Sequence, residues 1–182
     1  LWGTSDLAGR VIAIQGVGKV GAALAQLLAD DGAKLVVADA RQEAADAVAL
    51  ATGAAVVEPD DVLFTEADIV APCALGAVLS AETVSRLRCQ AVVGSANNQL
   101  AHESDAELLA AEGILYAPDF LVNAGGIINI TTELDGAYDP VEATRRVEGI
   151  HDTMVAVYTR AVRDDITPEA AAIALARSRL DA

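Results

Sequence analysis

Gly16, Gly18 and Gly21 stand at the spacing G-x-G-x-x-G, directly after the apolar run Val11-Ile12-Ala13-Ile14-Gln15. Behind them Ala22 to Ala29 reads as a helix with a strongly apolar face. That order suits the binding of a dinucleotide. The first glycine permits a tight turn, the second lets the backbone approach a pyrophosphate, and the third lets helix and strand pack closely. The pyrophosphate then faces the helix N-terminus, with its free N–H groups and positive dipole end. Val17, Lys19 and Val20 fill the other places of this cofactor-binding turn. The motif alone is weak evidence. Here a second apolar run, Leu35-Val36-Val37-Ala38, ends in Asp39, about where an acid accepts the ribose hydroxyls. Its charge repels a 2′-phosphate and so favours NAD over NADP. Arg41, two residues on, is a group that can meet such a phosphate and pulls the other way.

The elements that must hold these residues alternate. Strands are expected at 10–15, 34–38, 55–57, 67–71, 91–93 and 114–116, and helices at 22–31, 42–51, 82–87 and 104–111. A short turn opens at Pro59-Asp60-Asp61, Ser80 caps the third helix, and Gly32, Gly53 and Gly113 stop the helices before them. Strands alternating with helices at this spacing mean an α/β fold, a Rossmann-type doubly wound parallel sheet. Beyond Tyr116 the pattern becomes helical. One helix is expected at 123–134, a long one from Asp139-Pro140 to about Asp164, and a last one from Thr167-Pro168 to about Arg179. The expected organisation is a dinucleotide-binding domain at 1–136 and a helical extension at 137–182 packing back on it.

A chain of 182 residues, 53% of them hydrophobic, can bury a sizeable core and is not of disordered composition. Twelve basic against 27 acidic residues give a net charge of −15, which argues against nucleic acid or an anionic membrane surface as partner. No apolar run is long enough to span a bilayer, and the start, Leu1-Trp2-Gly3-Thr4, has neither the basic nor the apolar region of a signal peptide. Two cysteines make no disulfide framework, so a cytoplasmic location is the default. A first residue other than Met fits a piece of a longer protein.

In an open parallel sheet the ligand lies beyond the carboxyl ends of the strands. Those ends carry Gly16, Asp39, Pro72-Cys73-Ala74, Ser95-Ala96-Asn97-Asn98 and the stretch from Asp119 to Gly126. Nothing basic adjoins Cys73 in the sequence, so it reads as a small residue beside a cofactor or in the core, not a reactive thiol; Cys89 reads as structural. Asn97-Asn98 is either a plain turn or a pair of carboxamides that bond ribose or nicotinamide. His102 and His151 have no Cys or carboxylate at ligand spacing, and no metal site is expected. Asn123, Ile127 and Ile130 are spaced by four and three, which places them on one helical face, and from spacing alone the two isoleucines read first as core. The paired Gly125-Gly126 near the helix start suggests close backbone approach.

Taken together, Gln15-Gly16-Val17-Gly18-Lys19-Val20-Gly21, Ala71-Pro72-Cys73-Ala74, Gly94-Ser95-Ala96-Asn97-Asn98 and Tyr116-Ala117-Pro118-Asp119-Phe120-Leu121-Val122-Asn123-Ala124-Gly125-Gly126 resemble the cofactor-binding, C-terminal domain of the glutamate/leucine/phenylalanine/valine dehydrogenases. Within that family the leucine, valine and phenylalanine branch is most similar. The resemblance implies oxidative deamination of an L-amino acid by NAD to a 2-oxo acid and ammonia, in a homo-oligomer. It implies that Gly16, Gly18 and Gly21 hold the pyrophosphate and Asp39 the adenosine ribose. Cys73 and Ala74 would then lie along the cofactor, Ala96 and Asn97 at the nicotinamide ribose, and Asn123 against nicotinamide and substrate. Ile127 and Ile130 match positions lining the substrate side-chain pocket, and branched residues there favour an aliphatic amino acid over phenylalanine.

One departure from the family matters. Its catalytic lysine and aspartate sit on a separate, N-terminal domain, and this chain has only Lys19, inside the turn, and Lys34, at the opposite end of the second strand. No catalytic residue is therefore expected in this chain, which alone would bind cofactor without turnover. The competing readings are a non-catalytic NAD-binding regulatory module and another Rossmann dehydrogenase, such as one acting on a folate. The second does not account for Asn123-Ala124-Gly125-Gly126.

Overall fold

Six strands carry the apolar runs: β1 (Val11–Gln15), β2 (Lys34–Ala38), β3 (Ala55–Val56), β4 (Ile69–Pro72), β5 (Ala91–Val92) and β6 (Leu115–Tyr116). In this computed structural model, which describes residues 1–134 and 138–180, all five neighbouring pairs are parallel. The strand order is β3-β2-β1-β4-β5-β6. The order reverses between β1 and β4, which makes this a doubly wound Rossmann-type sheet whose ligand crevice opens at that switch point. Register puts Gln15 opposite both Ala38 and Pro72, so the three central strands end level.

Successive side chains of a strand point to opposite faces, and the core divides accordingly. Ile12 and Ile14 of β1 pack with Leu35, Val37 and Ala71 against α1 (Lys19–Asp30) and α2 (Gln42–Thr52). Ala13 packs with Val70, Val92 and Tyr116 on the other face. That side also takes Leu63 from a 3₁₀ turn (Val62–Phe64), Val84 from α3 (Ala81–Val84) and Leu109 from α4 (Asp105–Ala111). Gly53 ends α2 at φ 75°, donating its N–H to Ala49 O at 2.8 Å, the left-handed stop expected of a glycine there. Ser80 caps α3 as expected, its Oγ accepting from Thr83 N at 3.3 Å. This helix is a single turn, shorter than the expected run to Leu87, because i→i+3 bonds at Arg86 and Leu87 tighten it and turn the chain away.

By its contacts the chain forms two compact units, Leu1–Tyr116 and Ala117–Ala182. The expected boundary at 136/137, with Gly136 as the break, lies outside the described residues. The second unit is helical: α5 (Asp119–Val122), α6 (Gly125–Leu134), α7 (Pro140–Asp164) and α8 (Pro168–Leu180). The helix expected at 123–134 is α6, which starts at Gly125, and an unexpected single turn, α5, precedes it. Val157 and Ala161 of α7 pack on Ala171 and Ala172 of α8, with Leu121 and Leu175 against them; the alanines let the backbones approach. Among the described residues no helix is long and apolar enough to cross a membrane.

Asp139 starts α7 as the sequence suggests, its Oδ1 accepting from Val141 N at 2.9 Å and Glu142 N at 3.3 Å ahead of Pro140 at the first helical position. Asp139→Ala is expected to cost about 1 kcal/mol in urea unfolding, and Asp139→Ser to recover most of it.

Candidate functional site

The turn after β1 is closed by backbone contact. Gly16 has φ +89°, and a Cβ there would lie 2.6 Å from Ala74 Cβ and 2.9 Å from Ala74 N. At Gly21 a Cβ would run into the carbonyl oxygen of Gly16. Protein packing alone explains these two glycines. Gly18 is different: its φ is −66°, open to any residue, and a Cβ there meets nothing within 4 Å. Packing does not ask for glycine here; glycine serves as an N-cap and leaves the backbone open to close approach. No side chain caps α1, so its first-turn N–H groups carry no side-chain partner at the cap. An anionic pyrophosphate fits that end. Lys19 is the first helical residue and exposed, as is Val20.

Asp39 lies just beyond β2. Its Oδ2 accepts from Val17 N at 2.9 Å, its Oδ1 from Arg41 N at 2.9 Å, and Arg41 Nε stands 3.6 Å from Oδ1. The Arg41 N–H bond, with that from Val17 and the guanidinium charge, holds the carboxyl below its ordinary value against the opposing effect of burial. The side chain is 12% exposed and ionised at neutral pH. Val17, counted with the cofactor turn, thus gives its N–H to Asp39 and ties the glycine turn to the end of β2. The carboxylate keeps further lone pairs for hydroxyl donors.

Two more loops leave the same edge. Cys73 N donates to Gln15 O at 2.7 Å, which sets Cys73 half-buried and Ala74 exposed beside the turn. Ala96 is buried, its N–H on Pro72 O at 2.9 Å, and Asn97 is exposed after it. The structure therefore gathers Gly16, Gly18, Gly21, Asp39, Cys73, Ala74, Ala96 and Asn97 along one edge of the first unit. Sequence reasoning stopped at Asn98 and missed Gln99, which is fully buried and donates from Nε2 to Gly94 O and Ala96 O. A lone glutamine beside two asparagines reads as loop surface; only the apolar Leu100 after it hinted at burial.

The opposite, amino-terminal edge holds Lys34, and also a hollow of about 550 Å³ lined by Glu66, Arg88, Cys89, Gln90 and Glu112 among others. Cys89 stays a thiol, pushed up to about 11 by burial, in keeping with a structural role. His102 stands by the start of α4, 3.5 Å from Asp105, and His151 lies exposed beside Asp152. Among the described residues no three His, Cys, Asp or Glu side chains gather as metal ligands would.

In the second unit Ile127 and Ile130 are 60% and 53% exposed on α6, so the core reading of these two residues does not hold. Asn123 belongs to the end of α5, as its C-cap, and not to the α6 face on which the spacing put it. Gly125 has only Val147 at 4.0 Å and Gly126 nothing within 4 Å, so packing within the protein demands neither.

The comparisons with known proteins agree with this fold. A model of the glutamate/leucine/phenylalanine/valine dehydrogenases matches residues 36–180, and the chain belongs to that family. It is 46% identical over 180 residues to the leucine dehydrogenase of Thermoactinomyces intermedius, covering 99% of this chain and 49% of that protein. The crystal structure of L-tryptophan dehydrogenase from Nostoc punctiforme superposes with a TM-score of 0.96 at 39% identity, over 99% of this chain and 54% of the other. The hetero-hexameric glutamate dehydrogenase of Thermus thermophilus gives 0.75 at 31% identity, over 97% and 47%. The chain thus spans about half the length of these relatives.

Gly18→Ala is expected to lower the urea-unfolding midpoint only by what a poorer N-cap costs, about 0.5–1 kcal/mol, whereas Gly16→Ala and Gly21→Ala lower it sharply. Equal losses in all three would contradict the distinction drawn between them. The depressed Asp39 carboxyl contributes stability above its ordinary value near 3.8. That contribution is lost as pH falls below this value, so the wild type should lose stability there more steeply than Asp39→Asn in acid titrations of unfolding.

Proposed function

We propose that this chain is the C-terminal, NAD-binding domain of an L-amino-acid dehydrogenase of the leucine, valine and phenylalanine branch. Gly18 carries the reading: a glycine that neither the backbone conformation nor the packing requires, at an uncapped helix N-terminus, with an ionised Asp39 across the turn. The pyrophosphate would lie on Gly16, Gly18 and Gly21 with Lys19 near its charge, and the adenosine ribose hydroxyls would donate to Asp39. Cys73, Ala74, Ala96 and Asn97 would seat the nicotinamide ribose side, and Asn123 the nicotinamide and the substrate. When bound, NAD supplies a hydride acceptor for the substrate α-carbon.

Asp39 selects NAD by charge. A 2′-phosphate would meet its carboxylate, and Arg41, 73% exposed, is already drawn toward that carboxylate. The exposed Ile127 and Ile130 would form one wall of a pocket for an aliphatic side chain, giving leucine, valine or isoleucine as substrate and a branched 2-oxo acid as product. One methylene is worth about 1–3 kcal/mol of discrimination, so these side chains separate aliphatic from aromatic substrates better than one aliphatic from another. Neither lysine suits proton transfer at the α-carbon: Lys19 opens α1 in the phosphate turn, and Lys34 starts β2 at the far edge. Proton transfers would belong to an N-terminal domain of the parent protein, which would work as a homo-oligomer in the cytoplasm.

Calorimetry of this chain with NAD and NADP tests the reading. NAD should bind and NADP bind much more weakly. Asp39→Ala should weaken NAD about 10–100-fold, as expected for losing charge-assisted hydrogen bonds of about 1.5–3 kcal/mol. Gly18→Ala should weaken it without loss of fold. Binding of neither cofactor by the wild type would refute an autonomous site.

A further inference from the structure

The loops after β4 and β5 are joined more tightly than two neighbouring surface loops need to be. Ala77 N donates to Asn98 O at 2.6 Å, Leu79 N to Gln99 O at 2.9 Å and Ala101 N to Leu79 O at 3.0 Å. From the other side Ala96 N donates to Pro72 O at 2.9 Å. Ala77 and Asn98 face each other across the first of these bonds with φ of 58° and 52°. The left-handed region is unfavourable for a non-glycine residue, least for Asn, so such a pair persists only where the surroundings enforce it. The two loops also approach each other closely. A Cβ at Gly76 would lie 2.5 Å from Asn97 O, and one at Gly94 would run into Pro72 O.

Gln99 sits beneath this double loop, fully buried. Its Nε2 has two hydrogens, and both have acceptors: Gly94 O at 2.8 Å and Ala96 O at 3.0 Å. These carbonyls flank Ser95, so the fork closes the start of the β5 loop on itself and fixes the peptide that leads into Asn97. A buried amide donor of this kind is costly to leave unmatched, which keeps the fork closed. Asn97, the exposed rim residue, is thus delivered by a buried side chain two positions on.

We infer that Gln99 is the positioning residue of the nicotinamide half of the site, holding the loops after β4 and β5 as one preformed seat. The inference rests on the reading of this edge as an NAD site. Gln99 touches no part of the cofactor; it acts through Ala96 and Asn97. Neither carbonyl that the fork engages belongs to the adenosine half, which is built on the glycine turn and Asp39.

That separation makes the test. In calorimetry Gln99→Met, of similar length but without the donors, should raise the Kd for NAD about tenfold and change that for ADP less than twofold. Parallel loss of NAD and ADP, or no loss of either, overturns the inference while leaving the NAD site standing. Failure of the wild type to bind NAD overturns both. A second measurement needs no variant: in the cofactor-free wild type the amides of Ala77, Leu79, Ala96 and Ala101 should exchange hydrogen about as slowly as those of β1. Fast exchange that slows only when NAD is added would show a seat formed by the ligand and overturn the claim of preformation.

Discussion

Three backbone segments meet with no space for a methyl group where β1 gives way to α1. Gly16 abuts Ala74, and Gly21 abuts the Gly16 carbonyl. Everything at this edge inherits its position from that closure. The helix starts where it does because Gly21 admits the preceding turn. The β4 loop starts where it does because Cys73 is bonded to Gln15 beside that turn. Asp39 adds a tie from the third side through Val17. An edge made this way is set before any ligand arrives, and binding then need not order it.

Electrostatics work on two scales here. The chain as a whole carries −15, a field that opposes an anionic ligand. Locally the helix N-terminus and Lys19 reverse the sign over a few ångströms, while Asp39 restores it where the neutral ribose would lie. Under the proposed function, discrimination between a hydroxyl and a phosphate at that point would follow from one charge. The bonds that keep this charge ionised are backbone N–H bonds, which do not wander as side chains do.

Much of this was legible from residue types. β2 runs over Lys34–Ala38 as expected, Gly53 ends α2, and Asp139-Pro140 and Thr167-Pro168 start α7 and α8. Each of these rests on a local rule: apolar pattern, left-handed glycine, cap with proline. What stayed hidden depends on contacts distant in sequence. The turn α5, ahead of the helix expected from Asn123, is four residues long and too short to show a period. Ala77 takes a left-handed turn that alanine does not advertise, because the β5 loop holds it there. Gln99 is buried by a fold, not by a pattern. The exposure of Ile127 and Ile130 likewise runs against what branched apolar side chains signal.

The sheet tapers at both rims. β3 and β6, its outermost strands, have two residues each, against five in β1 and β2. A rim that short presents almost no free ladder for a foreign strand to extend, and natural sheets use such truncation to resist edge-to-edge aggregation. Growth of the sheet from one copy into the next is thereby blocked. Contact between copies along these two rims would then rest on side chains, whose composition can be tuned without touching the central strands.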